Sequence, residues 1–329
     1  MLPLRQLWLD ERVLMSHKKI TGFVVAGAAT VALVIMHYHS QGNFREAVKE
    51  FDRARAFEDL KRLVALGPRP PGSSAIKRAR EYITAQLGAA GAEVLRDSFT
   101  ATTPAGPIPM VNIVGILPGK SSGVVIVAAH YDTARVKGIT FVGANDGGSS
   151  AAELLELVRV LSGRSHRLTY WFVFFDGEEA IEYWSASDSL YGSRHFVEAL
   201  RGSGKLRDVR AVVLLDMVGG GDPQFRPEAN STLWLRDLVF SSADRLGYRN
   251  AFPSGGAIPV EDDHLPFLAA GVPAVDIIDF TPFLRGYHHT ALDTLDHCSP
   301  DTLAMVGHVV LVTLGELERS LKNYGSCRA

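Results

Sequence analysis

Apolar residues recur at helical spacing through residues 43–66, at Phe44, Val48, Phe51, Ala54, Phe57, Leu60, Leu63 and Val64. That pattern predicts an amphipathic helix. Gly67-Pro-Arg-Pro-Pro-Gly72 ends it, because proline cannot continue the helical hydrogen-bond ladder. Ser73 or Ser74 is placed to cap a second helix running to about Leu87. Residues 94–99, 110–117 and 124–131 read as strands between Gly/Pro/Ser turns, and residues 115–121 read as a hairpin turn. Ala152, Leu154, Leu155, Leu157, Val158 and Leu161 mark another helix. Residues 168–175 form an apolar run with β-branched and aromatic members that breaks at Asp176-Gly177, which reads as a buried strand leaving its sheet. There follow a helix at 193–200, a strand at 209–215 ending in Asp216, and a helix at 234–246. Asp262-Asp-His264 opens a short helix, and 273–280 is the last strand. His288-His289-Thr290 lies in a loop, and 300–321 closes the chain as a long helix with proline near its start. Strands alternating with helices predict an α/β three-layer sandwich, a central, mostly parallel mixed sheet flanked by helices.

The amino terminus breaks this pattern. Residues 20–36 carry no charge, and Arg12, His17, Lys18 and Lys19 precede them. The run is near the short limit for a membrane span, about 17–25 residues. The cation-rich side stays in the cytoplasm. The expectation is a cytoplasmic head at 1–19, a single-pass transmembrane signal anchor at 20–38, and an α/β catalytic domain at 41–329 outside the cytoplasm. A cleaved signal peptide is the alternative, but the residues after the run lack a small-x-small site. Residues 41–329 suit one compact core, with no Pro/Gly-rich linker and no repeat to split them. The net charge of −2 gives no basic footprint for nucleic acid. Cys298 and Cys327 leave both a bridge and free thiols open. Asn230-Ser-Thr is one weak glycosylation match, and the setting leans to a bacterial periplasm or exterior, with a Golgi-like lumen as the alternative.

The candidate chemistry lies at the ends of the strands. His130, Asp146, Glu179, Asp216 and His289 each lie at or beyond the end of a predicted strand. Singly, each has an ordinary explanation: a histidine at a strand end is usually a satisfied polar residue, and an Asp after a strand usually caps a helix. Together they matter, because a twisted sheet gathers such ends into the crevice where ligands sit. Imidazole and carboxylate are ligands for a hydrolytic or Lewis-acid zinc. Glu178 stands beside Glu179, so one carboxylate is able to hold a metal while its neighbour moves protons.

The order His130-x-Asp132, Gly143-Ala-Asn-Asp146-Gly, Gly177-Glu-Glu, Leu214-Leu-Asp216-Met, Asp262-Asp-His264 and His289-Thr290 resembles the zinc-aminopeptidase (M28-like) superfamily. Residues 174–195 (FFDGEEAIEYWSASDSLYGSRH), 261–273 (EDDHLPFLAAGVP) and His289-Thr290 resemble, more narrowly, the glutaminyl-peptide cyclotransferase family. The likeness spans residues 45–325. It implies conversion of an N-terminal glutamine of a peptide or protein to pyroglutamate with release of ammonia. It implies one zinc per chain held by Asp146, Glu179 and His289, with Glu178 as proton shuttle and Asp216 and Asp262 as a hydrogen-bonding acid pair. It places Trp184, Glu261, Phe283 and His288 around the substrate. Zinc polarises the γ-carbonyl, one carboxylate carries the amine proton to the leaving nitrogen, and the tethered nucleophile supplies effective concentration.

Some residues depart from that pattern. Glu261 stands where family members often carry Gln, Asp276 where mammalian members carry His, and His288 where they carry Trp. The loop at 281–287 is longer by about one residue. The runner-up is a two-zinc aminopeptidase in which His130, a possible second-metal ligand, and Asp216 bind opposite metals. Asp146 then bridges the two and Glu178 activates water. A non-catalytic binding ectodomain ranks last, since it predicts a broken base or ligand set and Glu178 and every ligand type are present.

Overall fold

A computed structural model describes residue 44 and residues 46–321. The expected anchor at 20–38 and Cys327 lie outside the described residues. The first described helix is interrupted where its apolar spacing predicted continuity. A helical turn at 46–50 stops at residues 51–52, and α1 (Arg53–Val64) begins afresh. Asp52 causes the restart, because its carboxylate accepts the Ala54 and Arg55 N–H groups at 3.0 and 3.1 Å. Ser73 caps α2 (Ser74–Ala89) through the Ile76 N–H.

The remaining elements are β1 (Glu93–Thr103), β2 (Gly106–Leu117), β3 (Val124–His130), α3 (Ser150–Leu161), β4 (Thr169–Phe175), α4 (Tyr191–Gly202), β5 (Val209–Asp216), α5 (Leu233–Arg245), α6 (Leu265–Ala269), β6 (Ala274–Ile278), α7 (Thr281–Arg285) and α8 (Pro300–Ser320). The sheet runs β1-β2-β4-β3-β5-β6. The β4–β3, β3–β5 and β5–β6 pairs are parallel, while β1–β2 and β2–β4 are antiparallel. One reading needs correction: residues 115–121 are not a hairpin turn. Gly115 to Leu117 complete β2, and β4 inserts between β2 and β3, taking Ile113↔Phe174 on one side and Ala129↔Phe174 on the other. The hairpin is β1–β2, closed between Thr103 and Gly106. The 281–287 loop also differs from expectation, since it contains α7.

Alternation sorts the central strands into two cores. Val125, Val127, Tyr170, Phe172, Phe174, Val213 and Leu215 pack against α1, α2, α3, α5 and α8. Ile126, Ala128, Val173, Phe175, Val212 and Leu214 pack against α4 and α6 through Phe196, Val197 and Phe267. Both faces are covered, so the strands read as continuous apolar runs. Each fully buried side chain of this size contributes about 1.5–3 kcal/mol. Helix α8 has the length and apolarity of a membrane span, yet Leu303, Val306, Val310 and Leu314 are buried in the larger core. The packing therefore makes it a core helix. The carboxyl ends of β3, β4, β5 and β6 emerge together, and their loops build the site.

Candidate active site

Two strand exits and one later loop require unusual backbone. Asp176-Gly177 leaves β4 with Gly177 at φ 77°, where a Cβ would stand 2.6 Å from the Met110 sulfur. Glycine alone fits there. After β3 the chain loops to Asp146, whose backbone is extended, and Gly147 at φ 72° then turns into α3. His289 itself holds φ 53°, a left-handed conformation uncommon for a residue with a side chain.

These turns bring the candidate residues together. His289 Nε2 lies 2.9 Å from Glu179 Oε1 and 3.2 Å from Asp146 Oδ2. His130 Nε2 lies 3.2 Å from Asp146 Oδ1 and 3.2 Å from Asp216 Oδ1. Asp146 therefore faces one histidine with each oxygen. His288 stacks on His289 with ring centroids 3.8 Å apart, and Phe283 packs on His288 at 4.2 Å. Asp146, Glu179, Asp216, Phe283, His288 and His289 line one cavity of ≈ 340 Å³ together with Glu178, Trp184, Glu261 and Asp262, while His130 lies behind Asp146 and Asp216, outside its lining. Pro259, Val260 and Ile278 supply its apolar wall. That volume suits a side chain with its terminal amine.

The acids at its floor are held under electrostatic pressure. Burial pushes the Glu178 carboxyl well above the usual carboxylate range; His130 opposes the shift, while Glu179, Asp262 and Asp263 add to it. Burial, with the Asp146 charge, pushes Glu179 up to about 7. Burial and then the Asp216 charge push Asp262 up to about 7, and Asp216 is raised chiefly by burial. A closely spaced acid set of this kind has shared proton affinities.

The cluster fits a cation. Asp146 Oδ2 is buried without a hydrogen-bond donor, although it faces the His289 nitrogen. Ligand atoms around a tetrahedral zinc with bonds of about 2.0–2.1 Å sit about 3.3 Å apart. The observed separations of 2.9 and 3.2 Å in the His289 set match that spacing, as do the two 3.2 Å separations in the His130 set. Two groups bring their ligand atoms close enough to share one ion, His130–Asp146–Asp216 and Asp146–His288–His289, and Asp146 is common to them. Glu179 stands beside the second through its 2.9 Å approach to His289.

Two residues that the sequence did not mark as functional position these groups. Asp132 accepts the Glu178 and Glu179 N–H groups at 3.2 and 3.3 Å and so fixes the paired glutamates. Asp293 accepts the Asn145 and Asp146 N–H groups at 2.6 and 3.0 Å, tying the Asp146 turn to the loop that carries His289. The only sequence signal for Asp132 was its place in His130-x-Asp132, and Asp293 had none. Replacing Asp293 by asparagine puts an amide NH₂ against one of those donors. Zinc affinity, measured on the apoprotein by competition with a chelator, is expected to fall about 10–100-fold. Wild-type affinity in that variant would contradict the positioning role.

The acid cluster continues behind the cavity. Asp276, at the departure noted above, is buried on β6, with Oδ2 3.9 Å from His264 Nδ1. His264 Nε2 lies 3.2 Å from Glu228, which also accepts the Val260 N–H and so braces the rim segment that leads to Glu261. At the mouth, the Trp184 indole N–H donates to Glu261 at 2.8 Å. The Trp184 loop is anchored by Asp188, whose carboxylate accepts the Ile181, Glu182 and Tyr183 N–H groups, each at 2.9 Å.

A covered α/β sheet with a carboxylate–histidine cluster at its strand ends defines a metal-dependent α/β enzyme. The sequence model of "Peptidase family M28" matches residues 112–314. A mouse protein named glutaminyl-peptide cyclotransferase-like protein is 33% identical over 305 residues, covering 84% of this chain and 79% of its own length. The crystal structure of an Acidobacteriales bacterium glutaminyl cyclase superposes with a TM-score of 0.77 at 39% identity, over 82% of this chain and 96% of that one. A leucine aminopeptidase precursor from Bacteroides thetaiotaomicron superposes with a TM-score of 0.73 at 27% identity, over 80% of this chain and 97% of its own. The chain belongs to peptidase family M28 and, within it, to the glutaminyl-peptide cyclotransferase family.

Proposed function

We infer that this chain is a glutaminyl-peptide cyclotransferase, closing the N-terminal glutamine of a peptide or protein into pyroglutamate with loss of ammonia. The observation that carries this reading is the adjacency, in one cavity, of Glu178 and the His289–Asp146–Glu179 donor set. Those three donors would hold a single zinc and leave a position for substrate. When bound there, zinc supplies Lewis-acid polarisation of the substrate γ-carbonyl oxygen.

The protein's own groups do the rest. Glu178 accepts a proton from the substrate α-ammonium, and the freed amine attacks the γ-carbonyl carbon. The new C–N bond forms as the bond to the side-chain nitrogen breaks. Glu178 passes the first proton to that leaving nitrogen, which departs as ammonia, and the ring nitrogen gives up its second proton to solvent, leaving a neutral lactam. An elevated proton affinity suits a carboxyl that must both take and give a proton near neutrality. Asp216 and Asp262 share the neighbouring floor and hold the amine by hydrogen bonds. Trp184, Phe283 and His288 wall the side chain into a cyclising conformer.

The two-zinc aminopeptidase remains the second reading, because the His130–Asp146–Asp216 set is also zinc-compatible. A pair of substrates and a metal count separate the two. The cyclase releases ammonia from Gln-initiated peptides, leaves Leu-initiated peptides whole, and binds one zinc per chain. Two zincs and free amino acids without ammonia would overturn it. The uncharged run at 20–36 and its basic flank support a single-pass anchor with the catalytic domain outside the cytoplasm. The full-length chain then sediments with membranes and resists salt extraction, whereas recovery as a soluble protein would refute the anchor.

A further inference from the structure

The charge at the cavity mouth points to a preference that the ring closure itself does not require. Six acids line the cavity: Asp146, Glu178, Glu179, Asp216, Asp262 and Glu261. Among the described residues that line it there is no Lys or Arg. The first five are buried on the floor, whereas Glu261 is exposed at the mouth. A glutamine that fills the floor must lead its chain out through this opening, so the second residue of the substrate passes Glu261. The Glu261 carboxylate is also held in place, because Oε2 accepts the Trp184 indole N–H at 2.8 Å. Holding it lowers the entropy lost when it pairs with a ligand. The same bond sets the exposed indole beside the carboxylate. An anion next to an aromatic face suits a lysine or arginine side chain, through charge pairing and cation–π attraction.

We propose that Glu261, docked on Trp184, makes the enzyme select glutaminyl peptides whose second residue is basic. The proposal rests on the cyclase reading and adds a substrate class to it. Glu261 acts here as a specificity residue, distinct from the groups that move protons. An acidic second residue meets the same carboxylate unfavourably, so selection works by attraction and by rejection.

The test compares kcat/KM for Gln-Lys, Gln-Ala and Gln-Glu peptides, at low and high salt, in the wild-type protein, E261Q and E261A. Glutamine at 261 keeps an acceptor for Trp184 and removes only the charge. In the wild type, Gln-Lys is expected to exceed Gln-Glu by about tenfold at low salt, and high salt shrinks that ratio because the mouth is solvent-exposed. E261Q is expected to bring the low-salt ratio to within about twofold and to abolish its salt dependence. E261A also frees Trp184 and is expected to lose the ratio as E261Q does. A wild type without the preference, or an E261Q ratio that stays at the wild-type value, overturns the proposal while the cyclase reading stands. Failure to cyclise any of the three peptides overturns the cyclase reading itself.

Discussion

Glu178→Gln is expected to keep its zinc and lose about 10²–10⁴-fold in kcat. Glutamine is nearly isosteric with glutamate. The backbone N–H at 178 still donates to Asp132, so the turn and the neighbouring Glu179 stay in place. Only the capacity to carry a proton is lost. The alternative carriers sit on the same floor, but Asp216 lies against His130, and Asp262 accepts the Asp263 N–H at 2.5 Å. Zinc content by elemental analysis and steady-state kinetics on a Gln-initiated peptide check both halves. Wild-type kcat in a zinc-loaded variant would remove Glu178 from the proton path.

The second large effect is on the metal. His289→Asn is expected to abolish turnover and to weaken zinc binding by more than the about 10–100-fold assigned to Asp293. Asparagine tolerates the left-handed backbone that His289 adopts at φ 53°, so the loop is preserved while the imidazole is removed. Glu179 and Asp146 are left as two carboxylates without their shared nitrogen partner. Wild-type protein stripped with a chelator regains activity when zinc is restored, and the variant does not. Full activity of the variant in the presence of chelator would show that His289 is no ligand and that the chemistry proceeds without the set.

These expectations draw on residues that differ in how legible they were in the chain. The central strands were readable because both sheet faces are covered, so 124–130, 169–175 and 209–216 are nearly unbroken apolar runs. Sheet order was less so. The Gly/Pro turn signals at 115–121 resemble a hairpin, and nothing local reveals that β4 comes back to lie between β2 and β3. The interruption at Phe51–Asp52 was hidden for a related reason. The apolar spacing continues through it, and the break is made by one carboxylate turning to cap the next helix.

The site divides along similar lines. His130, Asp146, Glu178, Glu179, Asp216 and His289 were visible because strand ends and loops beyond them carried the right chemical types. Asp293 was not, since its part is played toward backbone N–H groups 147 and 148 residues away in sequence. The Glu261–Trp184 bond spans 77 residues and was equally silent, although both residues had been placed at the substrate. Contacts of this kind belong to tertiary geometry, which period and composition do not encode.

The reading as a whole holds that a tethered amine, and no water molecule, attacks the glutamine γ-carbonyl. Turnover of a Gln-initiated peptide in heavy-oxygen water tests this most directly, with the product analysed by mass spectrometry. The account predicts pyroglutamyl peptide and ammonia in equal amounts, with no solvent oxygen in the product. Solvent oxygen in a product carboxylate, with free glutamine or glutamate released, would mean that the site hydrolyses its substrate and would contradict the account.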